Sequence, residues 1–116
     1  MTGKRATLLQ GTLDLLILRT LALEPLHGVG VSDRIRQITR GVFDIGAGSL
    51  FPALHRLEDK GWVDGEWGET DAGRRARFYK LTASGRKRLA AETEAWRRLT
   101  GAVESVLTAE PDHARS

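Results

Sequence analysis

The leucine-rich stretch from Leu9 to Leu23 constrains the fold more than any other part of the chain. Leu9, Leu13, Leu16, Ile17 and Leu21 recur on one helical stripe, and Leu15, Leu18 and Leu23 broaden it. A helix this widely apolar has to be covered on most sides, so the remaining residues must supply the layers that cover it. Pro25 cannot continue the helix, and His27-Gly28 reads as a short turn into the next one. The chain has 116 residues, enough for one domain plus an appendage. It is 41% hydrophobic and 28% charged with three prolines, the composition of a soluble globular protein. Gln10, Asp14 and Arg19 interrupt the leucine run, so neither an export signal nor a membrane span is expected there. The lack of cysteine removes disulfides, thiol nucleophiles and thiolate metal sites together, and it fits a cytoplasmic location.

The covering layers follow in order. Val31, Ile35, Ile38 and Val42 repeat at helical intervals, which predicts an amphipathic helix ending between Thr39 and Gly41. Phe43 and Ile45 alternate with small or polar neighbours, enough for a very short strand before Gly46-Ala47-Gly48. A third helix is expected from Gly48 or Ser49, with Ser49 as cap, Pro52 inside the first turn and Gly61 as the stop. Its inward stripe is Leu50, Leu54 and Leu57, which carries Ser49, Pro52, His55, Arg56 and Lys60 to the outer half. Trp62 to Glu69 and Ala76 to Leu81 read as the strands of a hairpin with a basic tip, and Trp62, Trp67, Phe78 and Tyr79 as packing beneath it. Thr82 caps a last helix running to about Ala109, and Glu110 to Ser116 follows as a tail.

Three helices and a two-stranded ribbon form the order of a winged helix-turn-helix. The expected fold is therefore mainly α with a small β-hairpin, in three parts. Residues 1–82 form a winged helix-turn-helix, residues 83–109 a dimerisation helix and residues 110–116 a flexible tail.

The net charge is only +3, so its distribution says more than its size. From Ala72 to Ala91 there is no acid, while Arg74, Arg75, Arg77, Lys80, Arg86, Lys87 and Arg88 all fall in that stretch. Such a patch is either the footprint of a polyanion or a solvated face. In a helix-turn-helix the second helix of the pair enters the major groove with its N-terminal residues toward base edges. Ser49, His55 and Arg56 supply hydrogen-bonding groups there, and Pro52 and Ala53 small apolar surfaces for thymine methyls. Arg74, Arg75 and Arg77 on the hairpin suit phosphates or the minor groove, and Lys4 and Arg5 add possible backbone contacts. Taken singly, His55 and Arg56 are equally at home as solvent residues; the order of the elements gives them a role.

The last helix carries Leu89, Trp96 and Val103 at heptad spacing, with Leu99 and Val106 between. At about 42 Å it is longer than a domain of this size can cover, so the seam predicts a second copy of the chain. The alternative is folding back onto Leu13 to Leu23, and both contacts can hold together. Trp96 suits core packing within the seam, or else stacking on a flat aromatic effector.

No enzyme, cofactor or metal site is expected. His27, His55 and His113 are dispersed, no serine sits in a nucleophile-elbow setting, and Asp64, Glu66, Glu69 and Asp71 lack calcium-loop spacing. The rival function is a protein-interaction module that keeps the seam and binds a protein through the wing, against which the basic set Arg56, Arg74, Arg75 and Arg77 argues.

Four blocks then resemble the PadR family of regulators, in family order and over nearly the whole chain. They are Gln10 to Asp14, Pro25 to Gly28, Gly48 to Glu58 and Phe78 to Gly85, the third being the most specific. The resemblance implies a dimeric winged-helix transcriptional regulator, usually a repressor, on inverted-repeat DNA. It makes the third helix the recognition helix and supports the roles of Ser49, Pro52, His55 and Arg56. It matches the short subgroup with a single C-terminal helix, in which that helix packs against the partner's first helix. Two positions depart from the family. Phe51 stands where a tyrosine is common, which removes a hydroxyl from the DNA side, and Val29 replaces an aromatic residue after the His-Gly pair.

Overall fold

A computed structural model describes residues 9–112 and places a layer of three helices against a small antiparallel sheet, with a fourth helix projecting from it. Helix α1 (Gln10–Leu23) lies at the centre, with Leu13, Ile17, Leu18 and Leu21 buried. Leu15 and Leu16 are half-buried, and Leu9 and Leu23 are exposed, so its apolar girth is covered on fewer sides than the leucine count predicts. Helix α2 (Gly28–Ile38) adds Val31 and Ile35 to the same core, and α3 (Ala47–Asp59) adds Leu50, Ala53, Leu54 and Leu57.

The sheet has three strands. β2 (Val63–Glu69) and β3 (Arg75–Leu81) form the expected hairpin, and β1 (Leu26–His27) pairs with the free edge of β3, Leu26 opposite Tyr79 and His27 opposite Phe78. The His27-Gly28 pair is therefore a strand end running straight into α2 rather than a turn. Residues 41–46 form no strand. Ile45 is buried and Phe43 packs against the core, but the third place in the sheet is taken by β1. The segment is fixed instead by Ser32, whose hydroxyl donates to the Ile45 carbonyl at 2.5 Å.

Two glycines set the breaks between elements. Gly61, at φ +76°, adopts the left-handed conformation that ends α3: Trp62 N–H returns to the Leu57 carbonyl at 3.0 Å and Gly61 N–H to Glu58 at 2.9 Å. Gly85 lies in the first turn of α4 (Ala83–Leu107), where a Cβ would run into the Trp62 backbone carbonyl and the Leu81 side chain. Its missing side chain is what lets α4 sit down on the hairpin. Thr82 caps this helix as its sequence predicts, accepting from the Gly85 N–H at 2.9 Å. The first half of α4 packs on α1 and β3. From Gly101 to Leu107 every residue is exposed. Glu110–Asp112 have no regular structure, and the remainder of the tail lies outside the described residues.

Candidate nucleic-acid interface

Helix α3 starts at Ala47, one or two residues earlier than its sequence suggests. Its N-cap is Gly46 in extended conformation, whose carbonyl accepts from Ser49 and Leu50, and no side chain caps the helix. No acid stands in that turn to offset the partial positive charge of the helix start. Ser49 is a first-turn residue rather than a cap. Pro52 consequently sits in the second turn, where its ring takes away one helical hydrogen bond. Ser49, Pro52 and His55 are all exposed, along with Ala47 and Gly48, so the end of α3 offers a narrow face of small side chains.

Two residues assigned to that face belong elsewhere. Ala53 is 1% exposed and packs in the core with Leu50 and Leu57, so it presents nothing to a ligand. Arg56 sits on the flank of α3 that faces α1, where its guanidinium donates to the Asp14 carboxylate; the two side chains are 28% and 17% exposed. Its Nε is buried with no hydrogen-bond partner among the described residues. Arg56 is thus a tie between two helices, and not an outward-facing base reader. Phe51 is half-buried on the opposite flank and lies against α2, its ring filling the place a side chain on Gly28 would take. Val29 is exposed, so the lack of an aromatic ring there leaves the core intact.

The wing divides in the same way. Arg77 donates to Glu58 of α3 at 2.5 Å, and that hydrogen bond raises the guanidinium pKa further above its ordinary value. The bond ties β3 to the recognition-helix candidate. Arg74 and Arg75 are exposed at the tip, beyond a turn in which the Thr70 N–H donates to the Arg74 carbonyl at 2.8 Å and Gly73 to Thr70 at 2.9 Å. Asp64, Glu66, Glu69 and Asp71 are exposed, as expected for solvent-facing residues. Tyr79 and Phe78 pack under the wing, Phe78 with its ring 5.3 Å from that of His27, whereas Trp67 is 58% exposed against the expectation of packing. Trp62 is half-buried between two cations, Lys60 Nζ at 5.0 Å and the Arg88 guanidinium at 4.7 Å from the ring centre. Lys4 and Arg5 lie outside the described residues.

On the other side of the domain, α1 and α4 enclose a cleft of about 870 Å³ whose walls include Leu15, Leu16, Arg19, Leu89, Trp96 and Thr100. Leu89 is half-buried, packing on the core of its own chain while also lining this cleft beside Trp96. Trp96, Leu99, Val103 and Val106 are exposed at 42%, 58%, 49% and 77%. Sequence reasoning missed Asp14 and Glu58, the acids that claim Arg56 and Arg77. Asp14 carried a signal, being a lone acid inside a leucine-rich helix.

Comparison with known proteins agrees with this architecture. The family model described as the transcriptional regulator PadR-like family matches residues 17–91. A transcriptional regulator from Clostridium thermocellum superposes with a TM-score of 0.74 at 29% identity, covering 86% of this chain and 96% of that one. A PadR-like transcription factor from Bacteroides fragilis gives 0.69 at 26% identity, over 84% and 91% of the two chains. An uncharacterized protein of Lysinibacillus sphaericus is 27% identical over 92 residues, 79% of this chain and 84% of its own. Three core helices with a winged sheet and a projecting fourth helix, matched along most of their length, make this chain a member of the PadR-like family of transcriptional regulators.

Proposed function

We propose that the chain is a sequence-specific DNA-binding repressor, acting as a homodimer on an inverted repeat. The observation that carries the reading is the first turn of α3, which is free of acids and lined by exposed small residues, beside a wing whose tip arginines Arg74 and Arg75 are open to solvent. In this arrangement α3 enters the major groove, with Ser49 and His55 as hydrogen-bonding groups and Pro52 as an apolar contact for a thymine methyl. Arg74 and Arg75 reach the adjoining phosphates. Arg56 holds α3 to α1 and Arg77 holds the wing to α3, which sets the register of both.

The dimer follows from α4. Its exposed seam of Trp96, Leu99, Val103 and Val106 continues beyond the cleft against α1, and the same seam of a second copy supplies the missing cover. A twofold pair places two α3 helices for half-sites about 34 Å apart.

Selection of genomic fragments on the purified protein, with affinity measured at two salt concentrations, tests the DNA reading. A palindrome should be enriched, and binding should weaken steeply as salt rises. Failure to enrich any sequence would make the assignment wrong. For the dimer, Trp96→Asp should sediment as monomer; a persisting dimer places the seam elsewhere.

A further inference from the structure

Trp67 is a large aromatic side chain of the wing left open to solvent, and its position is set by strand register. Val63 lies opposite Leu81, Gly65 opposite Tyr79, Trp67 opposite Arg77 and Glu69 opposite Arg75. Side chains alternate across a strand, so all of these share one face of the hairpin. Close to the core that face is buried, at Val63, Tyr79 and Leu81. Further out it turns toward α3, since Arg77 on it donates to Glu58. Trp67 and Arg75 extend the same face past the edge of the core, on the side of the wing where α3 lies. Glu69, the cross-strand neighbour of Arg75, is the acid of β2 on this face, and Asp64 and Glu66 belong to the opposite one.

Although exposed, the indole is not loose. The Arg75 guanidinium stands 4.7 Å from its ring centre and that of Arg77 6.0 Å. Gly65 contributes through what it lacks, because a Cβ there would fall on the Arg77 guanidinium. A guanidinium stacked on an indole face keeps its N–H edge free to donate in its own plane. Trp67 and Arg75 thus form an apolar plate joined to an oriented cation. Deoxyribose next to phosphate, repeated along the edge of the minor groove, has the matching chemistry.

We propose that Trp67 is a DNA-contacting residue of the wing, its ring packing on a deoxyribose at the minor-groove edge and holding Arg75 toward the neighbouring phosphate. The inference rests on the DNA-binding reading above and adds a residue to it. Sugar and phosphate are the same at every step, so the contact supplies affinity and no base preference.

The test uses full-length protein labelled with 5-fluorotryptophan and the duplex recovered by genomic selection. The chain has three tryptophans, and the fluorine resonance missing from Trp67→Phe identifies Trp67. That resonance should shift on adding the duplex. Trp67→Ala should raise Kd about tenfold, equally on the selected and on an unrelated duplex, and Arg75→Ala about as much. The double variant should fall well short of the product, since ring and cation act as one contact. A stationary Trp67 resonance, a wild-type Kd in Trp67→Ala or fully multiplicative losses would each overturn the inference. If the wild-type chain itself binds no duplex, the DNA-binding reading fails with it; tight wild-type binding with an unmoved Trp67 resonance refutes the wing contact alone.

Discussion

The base and the rim of the α3–wing unit are built from the same residue types and put them to opposite uses. At the base, Arg56 is held by Asp14 of α1 and Arg77 by Glu58 of α3, both half-buried. At the rim, Ser49, Pro52, His55, Arg74 and Arg75 are exposed. An arginine with a nearby carboxylate has its charge already balanced and its donors already used. One that is exposed and held in no ion pair among the described residues keeps its donors available for phosphate. The difference separates residues that position the interface from residues that can touch a ligand, although Arg74, Arg75 and Arg77 all fall within the same basic stretch of sequence.

The comparison breaks most visibly at Asp14. Asp14→Ala leaves the Arg56 guanidinium in a partly buried site with Nε already unpaired, and it should cost about 2 kcal/mol of stability, less than a fully buried pair because both side chains retain some exposure. In thermal unfolding that is a fall in Tm of roughly 10 °C for a domain of this size. Arg56→Met, which keeps much of the stem and removes the charge, should lose less than Asp14→Ala. Equal Tm values for Asp14→Ala and the parent would place Arg56 with the rim.

Next in size is the rim itself. Arg74→Ala with Arg75→Ala should leave Tm within about 2 °C, as neither side chain is buried. The slope of log affinity against log salt should become shallower by about two phosphate contacts. A lowered Tm with an unchanged salt slope would reverse the assignment and make the wing tip structural.

Much of this fold is visible in the sequence because its signals are local. The Thr82 cap, the Gly61 stop, the hairpin and the inward stripe of α3 each depend on a few neighbouring residues, and each stands where its pattern predicts. What escapes depends on distant partners. β1 is two residues long, too short to alternate, and exists because β3 offers an edge far along the chain, Tyr79 opposite Leu26 and Phe78 opposite His27. The true start of α3 is a backbone event at Gly46, with no side-chain cap to announce it. At about 100° per residue Ala53 lies roughly 60° from Leu50, on the inward half of the wheel beside Leu57, so the helical wheel does carry its burial; its small size suits both a core and a groove. For Arg56 and Arg77 the deciding acids are on other elements, and charge counting along the chain cannot pair them.

The smallest effect reads the base of the unit from within. Tyr79 is buried beside Arg77 and Glu58, and burial, the dominant influence, raises its phenol above the ordinary value near 10, outweighing the Arg77 charge that lowers it. It is also the only tyrosine in the chain, so absorbance at 295 nm titrates it alone. The raised value makes its stabilising contribution complete below pH 10, where both folded and unfolded phenols are neutral, and the contribution is lost as pH climbs through the folded value. Tm should therefore decline above pH 10, and Tyr79→Phe should flatten that decline. In Glu58→Gln an acid that raises the phenol is gone and the Arg77 charge is no longer balanced, so the titration should move down. An unmoved titration in Glu58→Gln would mean that Arg77 is not held by Glu58 in solution, and Arg77 would then join Arg74 and Arg75 among the cations free to meet phosphate.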